Sequence, residues 1–219
     1  MKKPLLIIGN KNYSSWSLRA WLMLKFVRVD FDELRIPLFA LDSKAQLLKH
    51  SPSGYVPVLR EGDLVVWDTL AIAEYLYESH RELWPAESSA RATARSVSAE
   101  MHSGFVPLRK AMPMNIRATG RRVESTPELE ADIARIKSIW RELRKQYASI
   151  GPWLFGRYSI ADAMFAPVVF RFLTYGVKES GAVDEYLLTV SRDPLIQAWI
   201  NDSMKEIEMI KISETGFDK

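Results

Sequence analysis

The run Tyr55-Val56-Pro57-Val58-Leu59, followed after a short turn by Asp68-Thr69-Leu70-Ala71-Ile72, constrains this chain more than any other feature. It predicts strand, tight turn, strand and helix start, with Glu61-Gly62-Asp63 as the turn. Asp68 or Thr69 caps the helix that begins where the alternation ends. Pro57 is the anomaly, because proline cannot donate to a strand ladder. An edge position or a cis X-Pro bond would accommodate it, and a cis bond would present the Val56 backbone to a ligand. A free helix N-terminus nearby offers unpaired N–H groups to an anion. The stretch therefore reads as half of a binding site for something peptide-like and acidic.

The residues before it fit the same unit. Leu5 to Gly9 is a short buried strand, and Ser14 to Arg28 a helix with Leu18, Trp21, Leu22, Lys25 and Phe26 at helical spacing. Phe31 to Pro37 reads as a strand and Asp42 to His50 as a short helix. The order β-α-β-α-β-β-α is the thioredoxin-like order, which predicts a domain over residues 1–82. Pro85 to Ser89 reads as a linker, and beyond it no strand is convincing. A helix is expected from Ala90 to Arg117, carrying Val97, Met101, Phe105, Leu108 and Met112 and bent by Pro107 and Pro113. Leu129, Ile133, Ile136, Trp140, Leu143 and Tyr147 keep an unbroken 4-3-4-3-4 spacing behind Thr126-Pro127. Ser159 and Asp162 suggest a capping box, and Asp193-Pro194 opens a last helix. The expected fold is an α/β thioredoxin-like N-terminal domain plus an all-α helical C-terminal domain over residues 89–219.

Composition closes several routes. There is no cysteine, so no disulfide framework and no protein thiol nucleophile. His50, His80 and His102 lack ligand spacing, and no metal site is expected. The net charge of +3 suits anionic small molecules. The basic residues are mixed with acidic ones, so no nucleic-acid surface is expected. The apolar run from Leu5 ends at Gly9-Asn10-Lys11, too short for a secretory signal, and no run reaches membrane-spanning length. The expectation is a soluble, cytoplasmic protein without a membrane partner.

Four local features now converge. Tyr13-Ser14-Ser15-Trp16-Ser17-Leu18-Arg19 follows the first strand, Val56-Pro57 forms a proline corner, Asp68-Thr69 opens a helix, and Leu154-Phe155-Gly156 precedes Ser159 and Asp162. In this order and spacing they resemble the cytosolic glutathione transferases, and the resemblance covers nearly the whole chain. The first motif is similar to the serine-type tau and zeta classes. The resemblance implies glutathione as co-substrate, Ser14 as the catalytic hydroxyl, and glutathione contacts from Ser15, Lys44, Val56, Pro57, Asp68 and Thr69. It further implies an interdomain pocket for a small electrophile, with Trp16, Met101, Phe105, Met112 and Asn115 as candidates. A two-fold homodimer and a detoxification role are part of the same expectation.

The energetics of Ser14 are independent of the family. Free glutathione thiol has a pKa of about 8.5, and populating thiolate near neutrality needs about 2.7 kcal/mol. A hydroxyl donating to an anion contributes about 1.5–3 kcal/mol and a helix N-terminus about 0.3–1. The hydroxyl acts as a donor and need not ionise. Several structural roles stay open beside these. Ser14, Ser15 and Asp68 also suit plain helix capping, Lys44 a solvated helix, and the Met and aromatic positions a core. Arg19 reads as a structural ion-pair partner. Rival functions of the same fold are a non-catalytic ligand-binding protein, a glutathione-dependent isomerase and a glutathione-linked disulfide reductase.

Overall fold

The computed structural model describes residues 3–216. Strands β1 (Leu5–Ile8), β2 (Asp32–Arg35), β3 (Val58–Glu61) and β4 (Leu64–Trp67) form one sheet in the order β2-β1-β3-β4. β1 runs parallel to β2 and antiparallel to β3, and β3 pairs antiparallel with β4. Period-two alternation sorts the side chains. Leu6, Ile8 and Leu59 face the main core, whereas Ile7 and Val58 join a smaller cluster with Ile36 and Leu47. Helices α1 (Ser15–Phe26) and α3 (Thr69–Ser79) pack on the first face, and Leu47 of α2 (Ser43–Leu48) closes the second.

The position of β3 decides the question raised by Pro57. β3 is an interior strand, so an edge location is not the explanation. Pro57 lies just before the strand, and the Val56–Pro57 peptide is cis.

Beyond a short 3-10 turn at Arg81–Leu83, the regular elements are helical: α4 (Ser88–Ser103), α5 (Val106–Ala111), α6 (Pro127–Tyr147), α7 (Ile160–Thr174), α8 (Ala182–Arg192) and α9 (Pro194–Ser203). Residues 85–87 of the expected linker are irregular, half-buried or exposed, and its last two, Ser88 and Ser89, open α4; the two residues before it differ. Leu83 and Trp84 are buried, and Trp84 Nε1 donates to Glu74 at 2.9 Å. α6 buries the stripe read from its spacing, and the Thr126 hydroxyl accepts from Leu129 N at 3.2 Å. α7 is buried along nearly its whole length and packs against both α1 and α4, which makes the main core continuous through both halves of the chain.

The helix expected from Ala90 to Arg117 is instead two helices and an irregular segment. Gly104 terminates α4, and a Cβ there would meet the Glu100 carbonyl oxygen at 2.8 Å. Phe105 then takes a left-handed backbone, φ 57°, so the chain turns sharply rather than bending. Pro107 falls in the first turn of α5, where its missing N–H is harmless. Pro113 lies past the end of that helix.

Candidate functional site

Two helix starts meet across the sheet end. At the first, the buried Ser14 caps α1: its Oγ accepts from Ser17 N at 3.3 Å and donates to Ser17 Oγ at 2.7 Å. Ser17 Oγ in turn accepts from Gly9 N at 3.0 Å, which ties the helix start to the end of β1. At the second, Asp68 caps α3 through Leu70 N and Ala71 N at 2.8 and 3.3 Å. Asp68 does so from a positive φ of 75°, a conformation that costs a non-glycine residue about 1–3 kcal/mol and concentrates at binding sites. The two starts are joined by the Thr69 hydroxyl, which donates to the Trp16 carbonyl at 3.4 Å.

Between them lies a cavity of about 410 Å³ lined by Trp16, Ser53, Tyr55, Val56, Pro57, Trp67, Asp68, Thr69, His102 and Ser103. Val56, Pro57, Asp68, Thr69 and Trp16 are thus brought together. The other residues expected from sequence stand elsewhere. Ser14 and Ser15 are buried and are not among the lining residues, although Trp16 next to them is, and the Ser15 hydroxyl lies 3.5 Å from Arg171 Nη2. Lys44 spends its ammonium on the Ser53 and Gly54 carbonyls, both at 3.2 Å, and stacks 4.3 Å from the ring of the cavity residue Tyr55.

Met101, Phe105, Met112 and Asn115 do not line the cavity: all four are buried. The three apolar ones belong to the main core: Met101 on the buried face of α4, and Phe105 and Met112 after the break at Gly104, which turns the chain inward. Asn115 accepts from Asn12 Nδ2 at 2.9 Å and donates to Glu214, so it supports the loop before α1.

That loop is held from the other side by the C-terminal segment. Glu206 accepts from Lys11 N and Asn12 N at 2.6 and 3.0 Å, and Trp199 Nε1 donates to Lys11 O at 2.9 Å. Tyr13 donates to Glu214 at 2.5 Å and receives Arg117 Nη2 at 3.1 Å.

His102 was not legible as a site residue in the sequence, since it reaches the cavity only through the packing of α4 on the first domain. Its Nε2 lies 3.2 Å from Asp68 Oδ2, and its ring meets Trp16 edge-on at 5.1 Å. Burial pushes its pKa down; Asp68 opposes this, and Arg19 and Arg109 reinforce it. Arg19 makes no ion pair among the described residues, contrary to expectation. Its Nε donates to the Met164 carbonyl at 2.9 Å, and its guanidinium lies 4.4 Å from the Trp16 ring.

Sheet order, helix placement and this cavity define a thioredoxin-like domain joined to a helical domain. The family models for the glutathione S-transferase N-terminal domain and C-terminal domain match residues 13–79 and 126–202, and the chain belongs to the glutathione S-transferase family. Glutathione S-transferase GstB of Escherichia coli K12 is 22% identical over 216 residues, covering 90% of this chain and 98% of that protein. A probable maleylacetoacetate isomerase of Caenorhabditis elegans is 34% identical over 109 residues, 49% of this chain, and the match spans 50% of that relative's length. Among solved structures, a glutathione transferase homolog from Burkholderia GL BGR1 with bound glutathione superposes at TM-score 0.71 with 24% identity, covering 94% of this chain and all of that one. Ure2p in complex with glutathione superposes at 0.70 with 17% identity, covering 90% and 98%. At these identities the likeness of structure establishes the fold. Among the described residues no helix is long and apolar enough to cross a membrane, and no cluster of metal-binding side chains occurs.

Proposed function

We propose that this protein is a glutathione transferase that ionises the glutathione thiol at the start of α1 and adds it to a small electrophile. The observation that carries this reading is the single cavity that gathers Val56, Pro57, Asp68 and Thr69 beside the α1 N-terminus. The Val56 backbone would pair with the cysteinyl unit as a short strand addition. The γ-glutamyl carboxylate would meet the Thr69 hydroxyl and the α3 N–H groups, and its ammonium the Asp68 carboxylate.

In this reading Ser14 turns its hydroxyl from Ser17 toward the sulfur. Ser17 keeps the Gly9 N–H and can donate to the vacated Ser14 oxygen, so no buried polar group is stranded. The thiol proton leaves to solvent. The thiolate then forms a C–S bond as the leaving group departs with its electron pair, or as a neighbouring carbon takes up a proton. A reversible addition of the same thiolate to a conjugated double bond would instead isomerise it, and the Caenorhabditis elegans relative is named a probable maleylacetoacetate isomerase. We also assign the residue set 1–82 to glutathione, the helical remainder to the second substrate, and a cytoplasmic two-fold dimer to the assembly. Incubation with glutathione and a panel of electrophiles, followed by mass spectrometry for thioethers, tests the reaction. Thioether formation above the uncatalysed rate is the expected result; glutathione binding without it would turn the reading into a ligand-binding protein.

A further inference from the structure

Three arginines from three helices converge behind Trp16: Arg19 of α1, Arg109 of α5 and Arg171 of α7. Arg19 and Arg171 are buried and Arg109 is half-buried. Their observed acceptors are neutral oxygens. Arg109 Nη2 donates to His102 O at 2.9 Å and to Met101 O, Arg171 Nη1 to Met112 O, and Arg19 Nε to Met164 O. Among the described residues none of the three stands within ion-pair distance of a carboxylate, and Arg19 Nη1, Arg109 Nε and Arg171 Nε are buried without any acceptor.

Elsewhere the molecule treats buried cations in two ways. The lone Arg144 likewise donates to a carbonyl, that of Trp153. The buried Lys11 ammonium is neutralised by both Glu33 and Asp202 at 2.8 Å. Guanidinium stays protonated in proteins, so the cluster remains cationic. Burial lowers the affinity of all three for their protons, Arg171 to about 10; Arg109 and Arg171 repel Arg19, and Arg109 repels Arg171, while Asp68 acts on Arg19 and Asp132 on Arg109 in the opposite sense from beyond ion-pair distance. Buried charges are tolerated when paired, so the arrangement lacks an anion.

We propose that this anion is a carboxylate on the second substrate, bound by Arg109 with Arg19 and Arg171 behind it; the proposal rests on the glutathione reading above. The approach is through the Trp16–His102 wall of the cavity. The Trp16 ring lies 4.4 Å from the Arg19 guanidinium and 4.8 Å from that of Arg109, and Arg109 grips the carbonyl of His102. A cavity of about 410 Å³ that also takes a tripeptide leaves room for a small organic acid rather than a nucleotide. The planar fork of guanidinium suits a carboxylate bidentately.

The test is a calorimetric titration of benzoate, against the near-isosteric neutral benzamide, into glutathione-loaded protein. Benzoate is expected to bind at least tenfold more tightly than benzamide. Arg109→Met should abolish the difference, and Arg109→Lys should keep part of it. Equal binding of the two probes, displacement of benzoate by glutathione, or an unchanged preference in Arg109→Met would overturn the proposal. Titration of glutathione alone separates the two claims. If glutathione fails to bind, the glutathione reading falls, and the benzoate preference of the unloaded protein still decides whether the arginines bind carboxylate. Should Arg109→Met not fold, the wild-type preference and Arg109→Lys decide it.

Discussion

At the residue scale, a few hydroxyls serve folding and, in the proposed reaction, chemistry together. Ser14 is a helix cap bonded to Ser17, and the thiol chemistry asks it to exchange that partner for sulfur. Ser14→Ala should therefore slow conjugation roughly tenfold to a hundredfold near pH 6.5 and little near pH 9, where free thiol ionises unaided. Full activity of the variant at the lower pH would leave Ser14 as a cap alone. Thr69→Val should raise the KM for glutathione by a similar factor with little change in the pH profile, since its hydroxyl meets the end remote from sulfur. Asp162 offers a test unrelated to catalysis. Its buried carboxylate accepts from Leu154 N and Tyr186 on one oxygen and from Ser159 N and Oγ on the other. Asn presents an acceptor on one side only, so Asp162→Asn should destabilise the fold. Burial nevertheless raises the Asp162 pKa from 3.8 to about 6, against the pull of those four donors. Between these values the folded state binds a proton that the unfolded state has lost. Wild-type stability should then fall as pH rises from about 4 to about 6, narrowing its advantage over the Asn variant by up to about 3 kcal/mol. Urea denaturation of both proteins across that range checks the sign; an advantage that widens would contradict it.

At the element scale, what was legible depended on how local the signal was. The hairpin, the α3 cap, the α6 stripe and the Ser159–Asp162 pairing are written in contiguous residues, and the structure has each of them. The two-domain fold followed from their order. The broken helix was not legible, because Met101, Phe105 and Met112 keep helical spacing across the break while Gly104 and Phe105 redirect the chain. That break carries Phe105 and Met112 into the core, which Met101 already joins from the buried face of α4. His102 and Arg109 gain meaning only when α4 and α5 are packed beside α1, a contact that no local pattern announces. The clamp of the C-terminal segment on residues 11–13 is of the same kind. Glu206 satisfies two backbone N–H groups some 195 positions away in sequence. Glu206→Ala should cost about 1–3 kcal/mol for two stranded donors and loosen the turn that seats Ser14. A lower Tm together with a raised pH optimum is expected; an unchanged Tm would show that the clamp is dispensable.

At the scale of the whole molecule, the long stretch from Ala90 to Arg117 does not offer the second apolar face a dimer would use. The Met and aromatic residues around residues 101–112 are absorbed by the chain's own core and leave no spare face there. Val106 is the exposed large apolar residue of that stretch, and others lie elsewhere, among them Phe39, Leu41 and Leu48 around α2, Tyr55 and Trp67 at the cavity, and Ile207, Met209 and Ile212 in the C-terminal segment. A contiguous patch of such side chains is what an interface between two chains would cover. Light scattering should give twice the 25.1 kDa of one chain, and Phe39→Glu should shift the mass toward a monomer. A wild-type monomer would assign that surface to some other partner. The central claim concerns the thiol itself, and it is tested most directly by the ultraviolet absorbance of thiolate in the protein–glutathione complex as a function of pH. Bound glutathione should titrate roughly two units below the free-thiol pKa of about 8.5, and Ser14→Ala should return most of that shift. A bound thiol that titrates as it does in water would contradict the account.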